Sequence, residues 1–187
     1  MHLFRRLSPL LPLALAAACS NANSLGDATE TNVVDTVTIG SLEGTPISTP
    51  SGFNISTGAI RTDQSVDFEF AYNIRQLQDD TYQRVFLPRA ALGLSTPNVA
   101  DPGLLRRSET FDQITQAQSN GYVTDSAVPV AVGDRFMVRS RIVCTALGVP
   151  FYGKLEILSF QDSTVTFQRL SDLNCGFKDL APGLPKN

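Results

Sequence analysis

The stretch Val66-Asp67-Phe68-Glu69-Phe70-Ala71-Tyr72-Asn73-Ile74 decides the fold class. Its even positions are all large and apolar, and Asp67, Glu69 and Asn73 stand between them. Successive side chains of an extended chain point to opposite faces, so this alternation predicts a strand with one buried and one wet face. The same period places Phe136, Val138, Ile142 and Cys144 on one face of a strand over 134–144. Tyr152 to Phe160 and Ser163 to Leu170 read as two further strands, joined by a tight hairpin at Gln161-Asp162. Val33 to Ile39 is rich in β-branched residues, which favour strands. Gly52 to Ser56 and Gln83 to Leu87 read as short strands, with turns at Thr57-Gly58 and Asp79-Asp80.

Between the strands the punctuation is strong. Gly93, Pro97, Pro102 and Gly103 predict a long irregular loop over 89–107. Thr110 and Gln113 have the spacing of a capping box, and Phe111, Ile114 and Thr115 suit one helix face. A helix of about two turns is therefore expected before Asn120-Gly121. The segment 176–187 contains Pro182, Gly183 and Pro185 and should be irregular. No strand–helix–strand rhythm is present. The expected class is mainly β: an antiparallel sheet or sandwich with one short helix.

The chain has 187 residues, which suits one domain with appendages. Hydrophobic residues make up 42% and charged residues 18%, a balance that argues against wholesale disorder. The net charge of −3 gives no basic field for nucleic acid. Residues 1–18 read as a secretory signal peptide. Arg5 and Arg6 supply the positive start, Leu7 to Leu15 a short apolar stretch, and Ala16 to Ala18 small residues before the cut.

Cys19 directly follows, so Leu15-Ala16-Ala17-Ala18-Cys19 resembles a bacterial lipobox. There the cysteine is diacylated and becomes the first residue of the mature chain. The match departs in one place, because Ala16 holds the position that usually prefers Leu. Plain cleavage after Ala18, giving a secreted or periplasmic protein, is the alternative. Acyl chains anchor at about 0.8 kcal/mol per buried CH₂. Ser20 after the cysteine, by the same resemblance, permits delivery to the outer membrane. Residues 19–32 then form the lipidated cysteine and a polar tether with a reach of roughly 20 Å. The single β-rich domain runs over 33–187. Losing Arg5 and Arg6 from 15 basic residues leaves 13 against 18 acidic ones, a net charge of −5. Attachment to a membrane must therefore come from lipid.

The only histidine, His2, leaves with the leader, which disfavours triads and metal sites built on histidine. Cys144 and Cys175 remain. In an oxidising compartment a disulfide between them is the leading reading. Its loop of about 32 residues would contribute roughly 3.7 kcal/mol in the chain-entropy model. A metal pair or redox site lacks a C-x-x-C spacing, a histidine and a third thiol. Arg135, Met137, Arg139 and Arg141 alternate along one strand. The three arginines are candidates for contact with an anion or a partner, against the simpler reading of a solvated face. Asp67 and Glu69 share a strand face and could do acid–base work, although solvent exposure is the simpler expectation. No motif for a catalytic serine, a nucleotide-binding loop or zinc occurs.

The order of several segments resembles the HmuY family of haem-binding bacterial lipoproteins. They are Ser56-Thr57-Gly58 with Asp67-Phe68-Glu69-Phe70-Ala71, then Thr110-Phe111-Asp112-Gln113-Ile114 with Gly121-Tyr122-Val123-Thr124-Asp125. Phe136-Met137-Val138-Arg139, Tyr152-Gly153-Lys154-Leu155-Glu156-Ile157-Leu158 and Thr164-Val165-Thr166-Phe167 follow, covering about residues 52–170. The resemblance implies an all-β envelope protein that captures haem through paired histidines or methionines. Here the mature chain has no histidine, and Met137 is its sole methionine. Tyr72, Tyr82, Tyr122 and Tyr152 are the remaining side chains able to ligate haem iron, and each reads as core or rim. The expectation is thus a non-enzymatic envelope lipoprotein that binds a small ligand or a partner, with no cofactor. An accessory subunit of an envelope complex is the alternative, and a carboxylate-dependent hydrolase a third reading. For the anchor, Cys19→Ser should release the protein from membranes and abolish globomycin-sensitive processing. Continued membrane association of that variant would contradict the lipid anchor.

Overall fold

The computed structural model describes residues 26–97 and 99–186. The leader at 1–18 and the lipidation candidate Cys19 lie outside the described residues. The domain is a pair of five-stranded antiparallel sheets. The first has the order β1 (Val34–Gly40), β10 (Thr164–Asp172), β9 (Val149–Gln161), β8 (Arg135–Cys144), β6 (Gly103–Arg107). The second has the order β3 (Gly58–Ile60), β2 (Gly52–Asn54), β4 (Phe70–Gln76), β5 (Tyr82–Pro88), β7 (Val128–Pro129).

The alternating stretch does what its even positions dictate. Phe68, Phe70 and Tyr72 are buried, and Ile74 packs against the core. Val66, the first of the series, stays exposed because ladder pairing begins only at Phe70. Between the sheets, Phe70 stands 4.3 Å from Phe86 and 5.1 Å from Phe53 between ring centroids. Phe167 and Phe136 of the first sheet meet these rings edge-on. Such pairs contribute about 0.5–1.5 kcal/mol each beyond their buried area, so the aromatic row fastens sheet to sheet.

Three expectations are corrected. The helix at 110 is a single turn. The reciprocal capping bonds form, with Thr110 N–H donating to Gln113 Oε1 at 3.0 Å and Gln113 N–H to Thr110 Oγ1 at 3.4 Å. The chain then leaves the helical path, because Ala117 N–H donates to the carbonyl of Lys178 instead. Among the described residues the one helical element is the 3-10 turn Arg89–Leu92. The loop expected over 89–107 contains β6. Gly103 is there because a Cβ would stand 2.7 Å from the carbonyl oxygen of Val123. The hairpin turns at Asp162-Ser163, one residue later than expected, with Asp162 at φ 49°.

The outer face of the first sheet is not a solvated face. Residues 111–122 and 177–180 lie over it and form a second core of Phe111, Ile114, Ala117, Met137, Tyr152, Leu170 and Leu180. Lys154 of β9 points into this layer and is 1% exposed. Its Nζ donates to the carbonyls of Phe111 at 2.7 Å and Ile114 at 2.9 Å. Burial lowers its pKa, while Asp112 and Asp179 oppose that shift.

Residues 29–32, assigned by composition to the tether, are docked. Asn174 Oδ1 accepts from the N–H groups of Thr29 and Glu30 at 2.8 and 2.9 Å. Asn32 and Gly183 exchange backbone bonds. The sulfurs of Cys144 and Cys175 lie at bonding distance, 1.97 Å, with Cα atoms 5.7 Å apart. This link ties the end of β8 to the segment that follows β10.

Candidate functional site

The geometry turns on an irregularity in β8. Arg139 pairs with Tyr152 and Ile142 with Pro150, so Ser140 and Arg141 together face the single residue Phe151. This is a bulge, and bulges re-aim side chains. Ser140 stabilises it, accepting from Phe151 N–H at 2.9 Å and donating to the carbonyl of Arg141. The alternation that put Arg135, Arg139 and Arg141 on one stripe is therefore broken.

The structure sends the three arginines to three places. Arg135 donates to Glu156 at 2.7 Å, and Gln168 holds the other carboxylate oxygen, so that site is satisfied on the sheet. Arg139 turns to the outer layer, lies over the Tyr122 ring and donates to the carbonyls of Ser119 and Asp101. Arg141 turns to the loop before β4 and bonds Asp67 at 2.8 Å. The reading of a bare, solvated stripe is thereby corrected.

Arg141 and Asp67 stand in the wall of a groove of about 340 Å³. It opens at the end of the sandwich where residues 29–32 dock. Val66, Val99 and Ile142 form apolar walls, with Thr96 and Thr145 beside them. Arg89, first residue of the 3-10 turn, also reaches it. Its Nη2 makes one long contact, 3.4 Å, to Thr96 Oγ1. Its Nε is buried with no partner, and none of the ion pairs among the described residues includes it. An apolar cleft with a few placed polar groups is the usual form of a small-molecule site.

Behind the wall lies Glu69. Solvent exposure was the expectation, but it is 3% exposed. The strand alternation fails here because Ile55 closes over this position, donating its N–H to Glu69 Oε2 at 2.6 Å. Burial pushes the Glu69 carboxyl up to about 8, with Asp67 adding to the rise and the Ile55 N–H and Arg141 opposing it. The hydrogen bond from Arg141 instead holds Asp67 below the usual carboxylate range. Near neutral pH the groove is thus lined by two guanidinium groups and one carboxylate, with a neutral acid behind its wall, a net positive pole. Two carboxyls pushed apart in this way are a pattern of acid–base sites. Glu69, however, does not line the groove, so its proton is not presented to an occupant.

Other sites fit less well. A wider groove of about 500 Å³ opens at the opposite end, beside Tyr82, Arg84, Arg106 and Phe160. Its cations are engaged: Arg106 with Asp134 and the carbonyl of Pro129, Arg84 over the Phe160 ring at 4.7 Å. Among the described residues no group of three or more His, Cys, Asp or Glu side chains is placed to hold a metal ion. Of the possible haem ligands, Tyr152 is buried in the outer core and Tyr122 packs against it. Met137 is buried in the outer core, Tyr72 in the inner one, and Tyr82 stands alone at 71% exposure. Sequence reasoning missed Arg89 and, having named Glu69, missed its burial. Glu69 was visible between Phe68 and Phe70, in a run too apolar for a wet face. Arg89 carried no signal beyond following Pro88 and preceding Ala90-Ala91-Leu92.

The buried acid has a measurable consequence. Its folded-state pKa lies above its ordinary value of 4.5, so the folded chain keeps a proton that the unfolded chain releases. The stability this group contributes is full below about pH 4.5, falls as pH rises through that window, and is lost once pH has passed about 8. Glu69→Gln keeps the acceptor for Ile55 and cannot ionise. In parallel denaturant titrations the wild type should lose stability relative to this variant at up to about 1.4 kcal/mol per pH unit within the window. Identical pH slopes for both proteins would contradict the buried acid.

Comparison of the chain with family models, curated proteins and solved structures returns no match, so the use of the groove is read from its own residues.

Proposed function

We propose that this protein is an exported envelope lipoprotein whose β domain captures a small amphiphilic anion in the Arg89–Arg141 groove without catalysing a reaction. The observation that carries this reading is Arg89: a guanidinium with an orphaned buried Nε, set among the apolar walls of Val66, Val99 and Ile142. Its Nη2 makes only the 3.4 Å contact to Thr96, so a carboxylate from outside the chain would give this guanidinium the charged partner it lacks among the described residues. Asp67 does not serve, because its carboxylate is held by Arg141. The apolar walls favour a ligand with a hydrocarbon portion. The leader at 1–18 and Cys19 support placement at the cell envelope, through lipid rather than through charge.

A second reading rests on the opposite end. Tyr82 and Val132 are 71% and 61% exposed beside the wider groove. Exposed apolar side chains of this kind suit a protein contact, and an accessory role in an envelope complex follows from them.

Octanoate is the simplest probe of the first reading. It should raise the melting temperature of the wild type in a saturable way, and Arg89→Gln should weaken its binding by about tenfold or more. Absence of binding to the wild type, or equal binding by Arg89→Gln, would sink the proposal. A titration with haem should show no Soret shift.

A further inference from the structure

Ile142 borders more than this groove. The same side chain lines a second cavity of about 170 Å³, with Ser119, Arg139 and Tyr152 around it. Val99 stands in the first cavity and its chain neighbour Ala100 in the second, so one short segment borders both. The second cavity is a positive pole too. Arg139 has no carboxylate partner among the described residues. Its two terminal nitrogens each donate to a carbonyl, of Ser119 and of Asp101, at 3.1 Å, which leaves one proton free on each. Lys178 stands beside it, with Nζ 2.6 Å from Ser119 Oγ and 6.0 Å from the centre of the Tyr152 ring. No carboxylate lines this cavity.

One further observation joins the two. Among the described residues, Arg89 and Arg139 are the two arginines whose Nε is buried without a partner. One reaches each cavity, and the shared wall between them is the hydrocarbon of Ile142. We infer that the two cavities are subsites of one cleft, and that its ligand carries an acidic group at each end of an apolar middle, as a linear dicarboxylate does. This inference rests on the reading of the first groove as an anion site. Arg89 takes one carboxylate, Arg139 with Lys178 takes the other, and the chain between them crosses Ile142.

The test compares octanoate with suberate, which have equal carbon number and differ in the second carboxylate. By titration calorimetry the wild type should bind suberate about tenfold more tightly. Arg139→Gln should abolish that preference. Arg139 also holds two loop carbonyls, so Lys178→Gln provides a second variant that leaves them in place. It should reduce the preference by about two- to fivefold. Equal binding of the two acids by the wild type overturns the inference while sparing the single-anion groove. So does a preference that survives in both variants. Failure of octanoate to bind at all overturns the groove reading itself.

Discussion

The bulge at Ser140-Arg141 is the constraint on which the site depends. A regular β8 would carry Arg139 and Arg141 on one face, two residues apart. With both residues set against Phe151 alone, Arg139 goes to the outer layer and Arg141 to the end of the sandwich. Arg141 then fixes Asp67, and Asp67 fixes the approach to β4. Asn54 adds a bond from its side chain to the carbonyl of Asp67, so the loop before β4 is held from both sheets. That approach carries Glu69 under Ile55, where water does not reach it. One extra residue in a strand thus sets the charge pattern of the whole groove.

The two cores divide the labour. The inner aromatic row joins the sheets. The outer core packs segments with no regular structure onto the first sheet, and Lys154 organises it through two backbone carbonyls. Such carbonyls are acceptors that a turn ending after one helical cycle leaves open. An ammonium group with no carboxylate bonded to it is costly to bury, which accounts for its lowered pKa. The same outer layer supplies Ser119 and Tyr122 as partners of Arg139, and Ser119 also lines the second cavity.

Much of the fold was legible because ladder strands obey a period of two. The even positions of 66–74 and the apolar positions of 134–144, 152–160 and 163–170 found their strands. Periodicity reports which face meets a regular partner, and nothing more. It missed Glu69 and Met137, whose faces are closed by irregular segments far away in sequence. It also missed β6, where Pro102 and Gly103 signal a loop while the missing Cβ is what admits close packing against Val123. The cysteine pair was legible from compartment logic alone. Of the site, Arg139 and Arg141 were singled out, and their separation was not, because a bulge leaves no fixed signature in composition.

The central claim is that Arg89 receives an acidic ligand in the groove beside Arg141. Arginine Nε–H groups can be followed individually by nitrogen-15 resonance in labelled protein, with Arg89→Gln and Arg84→Gln spectra to assign the two signals. During an octanoate titration the Arg89 Nε–H resonance should move downfield and saturate, while that of Arg84 at the opposite end stays in place. A titration that moves Arg84 and leaves Arg89 unchanged would contradict the account.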